Sequence, residues 1–323
     1  MTAPTNPATW QRTFKHVCAL GESPFWHPQE QLLYWIDIAG EQVLRGDPQT
    51  GRTECWDMPS APGCIAPAQQ GGLVLALRHG IFRADYWGAP LRLIATLPCD
   101  TRIMRANDGK CDAQGRFWIG TIDETRQLHN ASLWCIDARQ AGAVKVTQVA
   151  DALALKVTTA NGLAWSPAGD QLYWADTPSH RVWRWQFDGA NARLSEQALF
   201  TQFDPKPDNW QVDFNPDSTN RYLGRPDGAT VDALGNYWLA MYEGQRVCQF
   251  DADGTLRQSL PTPLLCPTMP CLGGADLKTL FITSVGQHRN ADEILAWPWS
   301  GSVLACRVDT PGLPVHGFQE AAV

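Results

Sequence analysis

Residues 161–188, NGLAWSPAGDQLYWADTPSHRVWRWQFD, contain three short apolar segments that are separated by turn signals. The middle segment, QLYWAD (171–176), follows the turn sequence PAGD and is rich in aromatic residues, which favours a β-strand. Because its apolar residues do not alternate with polar ones, the strand is predicted to be buried on both faces between neighbouring sheets. The same three-segment phrase recurs along the chain, and this recurrence predicts the fold.

The middle segment has six copies at spacings of about 40 to 65 residues. These copies are LLYWID (32–37), GLVLAL (72–77), RFWIGT (116–121), QLYWAD (171–176), NYWLAM (236–241) and TLFITS (279–284). The segments that precede them are GESPFWHP (21–28), GCIAPAQQ (63–70), NDGKCDAQ (107–114), NGLAWSPA (161–168), DGATVDAL (227–234) and PTMPCLGG (267–274). The segments that follow them are EQVLRGD (41–47), HGIFRAD (79–85), ASLWCID (131–137), HRVWRWQFD (180–188), QRVCQFD (245–251) and DEILAWP (292–298).

A fourth, less regular strand is predicted between units, for example in LRLIATLP (91–98) and AVKVTQVA (143–150). The chain is therefore predicted to be all-β: a six-bladed β-propeller with about four strands per blade. A pair of β-sandwiches is the alternative, but it would not require six matched copies of one phrase. We expect residues 15–323 to form this single domain, after an N-terminal tail of residues 1–14.

The composition excludes several classes of partner. The net charge is −7 and no Lys/Arg cluster is present, so we expect no nucleic-acid binding. No apolar run has the length of a membrane span, and the N-terminus MTAPTNPATWQRTF lacks the apolar region of a secretory signal. The ten cysteines form no CxxC pair, which predicts reduced thiols and a cytoplasmic protein; Cys266 and Cys271 are the pair that would depart from this.

Oxygen-bearing side chains recur where the first strand of a unit begins. The innermost strands of a propeller surround its channel, so residues at equivalent places converge although they are far apart in sequence. The residues in question are Glu22, Asn107, Asp108, Asn161 and Asp227. Carboxylate and amide oxygens without thiols suit a hard divalent cation. Taken singly, Asn161-Gly162 and Asp227-Gly228 are also ordinary turn pairs.

Five phrases of the chain resemble the family of senescence marker protein (regucalcin), gluconolactonases and related sugar-lactone hydrolases. They are GESPFWHPQEQLLYWIDI (21–38), RANDGKCDAQGRFWIGT (105–121), ANGLAWSPAGDQLYWADT (160–177), RPDGATVDALGNYWLAMYEGQRV (225–247) and PTMPCLGGADLKTLFITS (267–284). The resemblance implies one catalytic divalent cation in the channel, with Glu22, Asn161 and Asp227 as its ligands. It further implies substrate contacts at Arg105 and Asn107. The family also has an acidic residue shortly after the third unit's GT, and the resemblance implies that Glu124 corresponds to it, with Asp123 and Thr125 as alternatives.

The function predicted from this resemblance is metal-dependent hydrolysis of sugar-acid lactones, such as glucono-, xylono- or arabinolactone, in carbohydrate metabolism. Asp227 is the expected general base as well as a ligand. The cation is calcium, zinc, magnesium, manganese or ferrous iron, since oxygen ligands admit all of them. Two alternatives remain open: an esterase or phosphotriesterase on the same site, and a non-catalytic calcium-binding propeller. We expect a monomer or weak oligomer.

The segment 201–224, which leads into Asp227, is longer than the usual link between units of this family. Trp210, Asp208 and Tyr222 are candidates for residues that shape substrate specificity at the mouth of the site. A surface loop that merely tolerates an insertion is the alternative interpretation.

Overall fold

The computed structural model describes residues 9–149, 155–215, 218 and 221–321. Their strands form six antiparallel four-stranded sheets, which are the blades of a β-propeller. The predicted fold is therefore confirmed, and six separate sheets are incompatible with a pair of sandwiches.

The first three blades follow the chain from the innermost strand outwards. Blade 1 contains β2 (Gly21–His27), β3 (Leu32–Asp37), β4 (Gln42–Gly46) and β5 (Thr53–Asp57). Blade 2 contains β6 (Pro62–Pro67), β7 (Leu73–Leu77), β8 (Gly80–Ala84) and β9 (Arg92–Ala95). Blade 3 contains β10 (Met104–Cys111), β11 (Phe117–Asp123), β12 (Leu133–Asp137) and β13 (Lys145–Gln148).

Blades 4 and 5 have the same order, and blade 6 combines both ends of the chain. Blade 4 contains β14 (Ala160–Trp165), β15 (Gln171–Asp176), β16 (Arg181–Asp188) and β17 (Arg193–Gln202). Blade 5 contains β18 (Arg225–Val231), β19 (Tyr237–Tyr242), β20 (Arg246–Phe250) and β21 (Leu256–Pro261). Blade 6 contains β22 (Pro267–Gly273), β23 (Thr279–Ser284), β24 (Leu304–Arg307) and, outermost, β1 (Gln11–Arg12).

The N-terminal strand closes the ring. β1 pairs with β24, so that the first described strand of the chain completes the sheet formed by the last three. The flanking aromatic residues are buried: Trp10 Nε1 donates a hydrogen bond to Pro261 O at 2.7 Å, and Phe14 stacks on Trp35 at 4.8 Å. The predicted N-terminal tail (1–14) therefore includes residues that belong to the propeller, while residues 1–8 lie outside the described part.

The second strand of each blade packs one face against the preceding blade and the other face against the following blade. In β3, Leu33 and Trp35 pack with Phe281 of blade 6, whereas Tyr34 and Ile36 pack with residues of blade 2. Successive side chains of a strand point to opposite faces, so a strand between two blades needs apolar residues at every position. This explains the unbroken apolar runs of the repeated segment.

The sixth unit departs from the prediction. DEILAWP (292–298) is not a strand, because it contributes to the short helix α1 (Ala291–Ala296), whose N-cap Asn290 accepts a hydrogen bond from the Glu293 amide. The third strand of blade 6 is β24, within VLACRVD (303–309). That segment ends in Asp like the equivalent segments of the other blades, which is the signal that could have identified it.

Of the two less regular strands, β9 lies within LRLIATLP and β13 within AVKVTQVA, as predicted. All ten cysteines are free, including Cys266 and Cys271, which are both buried. No helix in the described part of the chain is long and apolar enough to cross a membrane.

Candidate metal and substrate site

Apart from Glu124, which follows β11, the predicted site residues lie on the innermost strands, which contact one another around the channel. Each of these strands has an irregularity at the same point of its pairing with the second strand. In the four strands with predicted site residues, the pairing shifts between Glu22 and Phe25, between Ala106 and Gly109, between Asn161 and Ala164, and between Pro226 and Ala229. Such a bulge takes a side chain out of the regular alternation and re-aims it.

The Asn-Gly and Asp-Gly pairs therefore lie inside strands and are not hairpin turns. Their glycines are required by the close approach of neighbouring blades. A Cβ on Gly228 would lie 2.5 Å from the side chain of Met269 in the next innermost strand, and one on Gly162 would lie 2.4 Å from Tyr237 Oη. The interpretation of these pairs as turns is therefore wrong, since both pairs lie on innermost strands.

One chain of hydrogen bonds joins five of the predicted residues. Asp227 Oδ1 accepts from Asn161 Nδ2 at 2.8 Å, and Asn161 Oδ1 accepts from Asn107 Nδ2 at 2.9 Å. Asn107 Oδ1 in turn accepts from an Arg105 guanidinium nitrogen at 2.9 Å, and Arg105 Nε lies 3.2 Å from Glu124 Oε1. Side chains from blades 3, 4 and 5 thus form a single network across the channel.

Glu22 adds a carboxylate from blade 1. Burial, together with the neighbouring Asp108 carboxylate, raises the pKa of Glu22 to about 8, although Arg105 and Lys110 oppose the rise. Burial also raises the pKa of Asp227 well above its ordinary value, and the Glu22 carboxylate contributes to this rise. The two carboxyl groups therefore act on each other in a poorly solvated space.

These residues fit a hard divalent cation. The donor set consists of carboxylate and amide oxygens, and its acids hinder one another's ionisation, which a cation among them would reverse. Asp108 supports the same conclusion, because its Oδ2 accepts from the Leu163 amide at 2.7 Å while its Oδ1 is buried without a hydrogen-bond partner in the described residues. Glu22, Asn161 and Asp227 are the residues that would hold the ion.

Hydrogen bonds distinguish Asp123 from Glu124 as the acidic residue that belongs to the site. Asp123 is buried and accepts from the backbone amides of Thr125 and Leu128, so that it holds its own loop. Glu124 instead faces the site and is paired with Arg105 and Arg78. Glu124 is therefore the acid that joins the network, and Arg105 pairs with it rather than with Asp108 or Glu22.

Two basic residues of the site were missed by the reasoning from sequence. Arg78 Nη1 lies 2.7 Å from Glu124 Oε2, and hydrogen bonding to Arg78 is the main cause that lowers the Glu124 pKa. Lys110 lies in the channel, where Nζ donates to Ala229 O. The signal for Lys110 was its place in RANDGKC, three residues after Asn107 on the same innermost strand.

A second group of possible metal ligands lies away from the channel. Ligand atoms of His16, Cys18 and Asp37 lie within 4.8 Å of one another. Both Asp37 oxygens, however, accept backbone amides, from Ala19 at 2.7 Å and from Leu20 at 2.9 Å. Asp176 accepts two amides at the equivalent place in blade 4, so this aspartate has a structural role in the repeat.

A cavity of about 530 Å³ is lined by none of the predicted ligands, although Lys110 is among its lining residues. It lies at the carboxyl-terminal ends of the innermost strands, and its lining is mainly apolar, with Phe25, Trp165 and Met269 among the residues. The candidate site occupies the opposite ends of the same strands.

The inserted segment 201–224 is docked beside the site, although residues 216, 217, 219 and 220 are outside the described part. Tyr222 is buried, and its hydroxyl lies 2.7 Å from His180 Nε2. Trp210 packs edge-on against Tyr222 at 5.6 Å, whereas Asp208 is exposed. Two of the three predicted residues are therefore packed into the protein.

Comparisons with known proteins show the family and the fold of the chain. Residues 20–286 match the family described as the SMP-30/gluconolactonase/LRE-like region. The 6-deoxy-6-sulfogluconolactonase of Pseudomonas putida is 37% identical over 293 residues, which cover 91% of this chain and 92% of that protein. A pentonolactonase of Haloferax volcanii is 28% identical, over 86% of each chain. Among solved structures, the calcium-binding protein regucalcin of Agrobacterium tumefaciens superposes with a TM-score of 0.83 at 24% identity, covering 97% of this chain and 98% of that one.

Proposed function

The chain belongs to the SMP-30/gluconolactonase/LRE-like family, and we propose from this premise that it is a sugar lactone lactonase that opens aldonolactones at a metal centre in the propeller channel. The observation that carries the proposal is the hydrogen-bond chain from Glu124 through Arg105, Asn107 and Asn161 to Asp227. It joins groups suited to hold a sugar with groups suited to hold a cation.

A divalent cation held by Glu22, Asn161 and Asp227 would polarise the lactone carbonyl and lower the pKa of a water molecule. Asp227 is the proposed general base. Its Oδ1 is held by Asn161, and this bond leaves the other carboxylate oxygen to take a proton from the attacking water. The proton then passes to the ring oxygen as the carbon–oxygen bond of the lactone breaks.

Arg105 and Asn107 have the positioning role in this proposal. The Glu124 carboxylate and the side-chain oxygen Oδ1 of Asn107 hold the Arg105 guanidinium in place. The donors of Arg105 are therefore oriented before substrate binds. A preorganised donor contributes more than a mobile one, since little reorganisation remains when the substrate arrives. The two side chains would hold sugar hydroxyls or the carbonyl over the metal.

The test is an activity panel of the protein after chelation and reconstitution with calcium, zinc, magnesium, manganese or ferrous iron. Gluconolactone, xylonolactone and arabinolactone would be compared with an aryl ester and a phosphotriester, by acid release at constant pH. We expect at least one metal to accelerate lactone opening above its spontaneous rate.

Two results would overturn the proposal. Turnover of only the ester or phosphotriester would favour the alternative hydrolase, because a Lewis-acid site can polarise those groups too. Metal binding without acceleration of any substrate would favour a calcium-binding propeller.

A further inference from the structure

Arg225 occupies the same place in blade 5 that Arg105 occupies in blade 3. Arg105 pairs with Ile122 just before the bulge at Asn107, and Arg225 pairs with Tyr242 just before the bulge at Asp227. Each arginine therefore precedes a site residue by two positions, which separates their Cα atoms by about 7 Å. Arginines from two blades thus flank the candidate site.

The two arginines differ in how completely they are paired. Arg105 is buried and hydrogen-bonded to Glu124 and Asn107. Arg225 lies 3.3 Å from Glu243, and its Nε is buried without a hydrogen-bond partner among the described residues. Arg225 therefore keeps a donor for another acceptor.

Glu243 is shared between two cations. Lys206, from the inserted segment, lies 2.9 Å from both Glu243 oxygens and sits over the Trp210 ring at 4.3 Å. Arg289 lies close by, paired with Glu293 at 3.1 Å. Lys206, Arg225 and Arg289, which we call the cationic rim, thus share the carboxylates of Glu243 and Glu293 in their ion pairs.

The charges of the cationic rim lie in a place where water screens them weakly. The side chains of Lys206 and Arg225 are 30% and 21% exposed. The Arg225 charge also reaches the site, because it opposes the rise in the Asp227 pKa that burial causes. An oxyanion bound here would meet partly desolvated donors, for which guanidinium groups are suited.

Packing holds the inserted segment in this position. Phe214 stacks on Trp297 at 5.6 Å, and Val212 packs against a buried cluster that includes Leu265 and Trp297. The contacts of Trp210 and Tyr222 fix the part of the segment beside Lys206. The rim is therefore a built feature of the channel mouth.

We propose that the cationic rim binds an anionic substituent of the lactone, remote from the carbonyl, so that the preferred substrate is a sugar lactone with a second, negatively charged group. The inference rests on the proposed function and adds the substrate class. A sulfonate, a phosphate or a carboxylate at the last carbon of a hexonolactone would have the required chemistry.

The test compares kcat/KM for neutral gluconolactone with that for gluconolactones that have a 6-phosphate, a 6-sulfonate or a carboxylate at the last carbon. Wild type should prefer at least one anionic lactone, and its KM for that lactone should rise with salt. Lys206→Gln and Arg225→Gln should each lower the ratio of anionic to neutral kcat/KM by about tenfold. Arg257→Gln, which changes an exposed arginine of the outer strand β21, is the matched control.

The outcomes separate the two proposals. Two results would overturn the proposed role of the cationic rim and leave lactone hydrolysis standing. One is equal kcat/KM of wild type for neutral and anionic lactones, and the other is an equal decrease of kcat/KM for both in Lys206→Gln. If no lactone is hydrolysed, calorimetry with 6-phosphogluconate and gluconate still tests the rim. Tighter binding of 6-phosphogluconate that is lost in Lys206→Gln would support it, and equal binding of the two acids would overturn it.

Discussion

Asn161 Nδ2 donates a hydrogen bond of 2.8 Å to Asp227 Oδ1 across 66 residues of sequence. Both residues lie at bulges of innermost strands, so the bond ties blade 4 to blade 5 at the channel. The same amide group accepts a hydrogen bond from Asn107 of blade 3. Two of the three proposed ligands, Asn161 and Asp227, are therefore part of the contact between blades.

Asp227→Asn should lower kcat for lactone opening by at least about 100-fold, because the amide cannot accept the proton of the attacking water. The volume of the side chain is kept, so circular dichroism should show an intact fold. Steady-state kinetics at saturating metal measures the effect. Asp253→Asn, at an exposed acid in the turn between the outer strands β20 and β21, should behave as wild type. A wild-type kcat in Asp227→Asn would remove this residue from the mechanism.

Glu22→Gln should weaken binding of the divalent cation by at least about tenfold, since a charged oxygen ligand is replaced by a neutral one. Titration calorimetry of the metal-free protein measures the affinity. Glu196→Gln changes an exposed acid of blade 4 and serves as the control. Unchanged affinity in Glu22→Gln would contradict its role as a ligand.

The apparent affinity for the cation should rise with pH from about 6 to about 9. The Glu22 pKa of about 8 in the metal-free protein means that below this pH the cation must displace a proton. Lowering the pH therefore adds protonation of Glu22 as a competitor, and binding should release protons to the buffer. Calorimetry in buffers of different ionisation enthalpy measures the number released. An affinity independent of pH over this range would contradict the prediction.

Arg105→Lys should raise KM for the lactone by about tenfold while metal affinity stays unchanged. A lysine cannot reproduce the planar set of donors that reaches both Glu124 and Asn107. Initial-rate kinetics and calorimetry together separate the two effects. A decrease in metal affinity as large as the increase in KM would instead show that Arg105 supports the metal ligands.

Phe14→Ala should cost about 3–5 kcal/mol in the free energy of unfolding, because its side chain is 2% exposed and stacks on Trp35. Val17→Ala, at a residue that is 53% exposed, should change stability by less than about 0.5 kcal/mol. Chemical denaturation measures both. Equal stability of the two variants would show that the N-terminal segment does not contribute to ring closure.

Much of the architecture was predictable because the repeat constrains every blade in the same way. A strand between two blades must be apolar on both faces, and this requirement produced six recognisable segments. The exception was instructive: DEILAWP has the apolar residues of a strand, yet Asn290 caps a helix there and β24 takes its place in the sheet.

The sequence by itself determined the propeller and the places where oxygen-bearing side chains approach the channel, because equivalent positions of a closed ring must converge. Only the tertiary structure decided which of these side chains meet. The bulges set the direction of the Asn161 and Asp227 side chains. Asp123 accepts hydrogen bonds from backbone amides of its loop, whereas Glu124 pairs with Arg105. The docked insertion places Lys206 beside Glu243. Such contacts depend on side-chain direction and ring closure, which no local pattern of residues specifies.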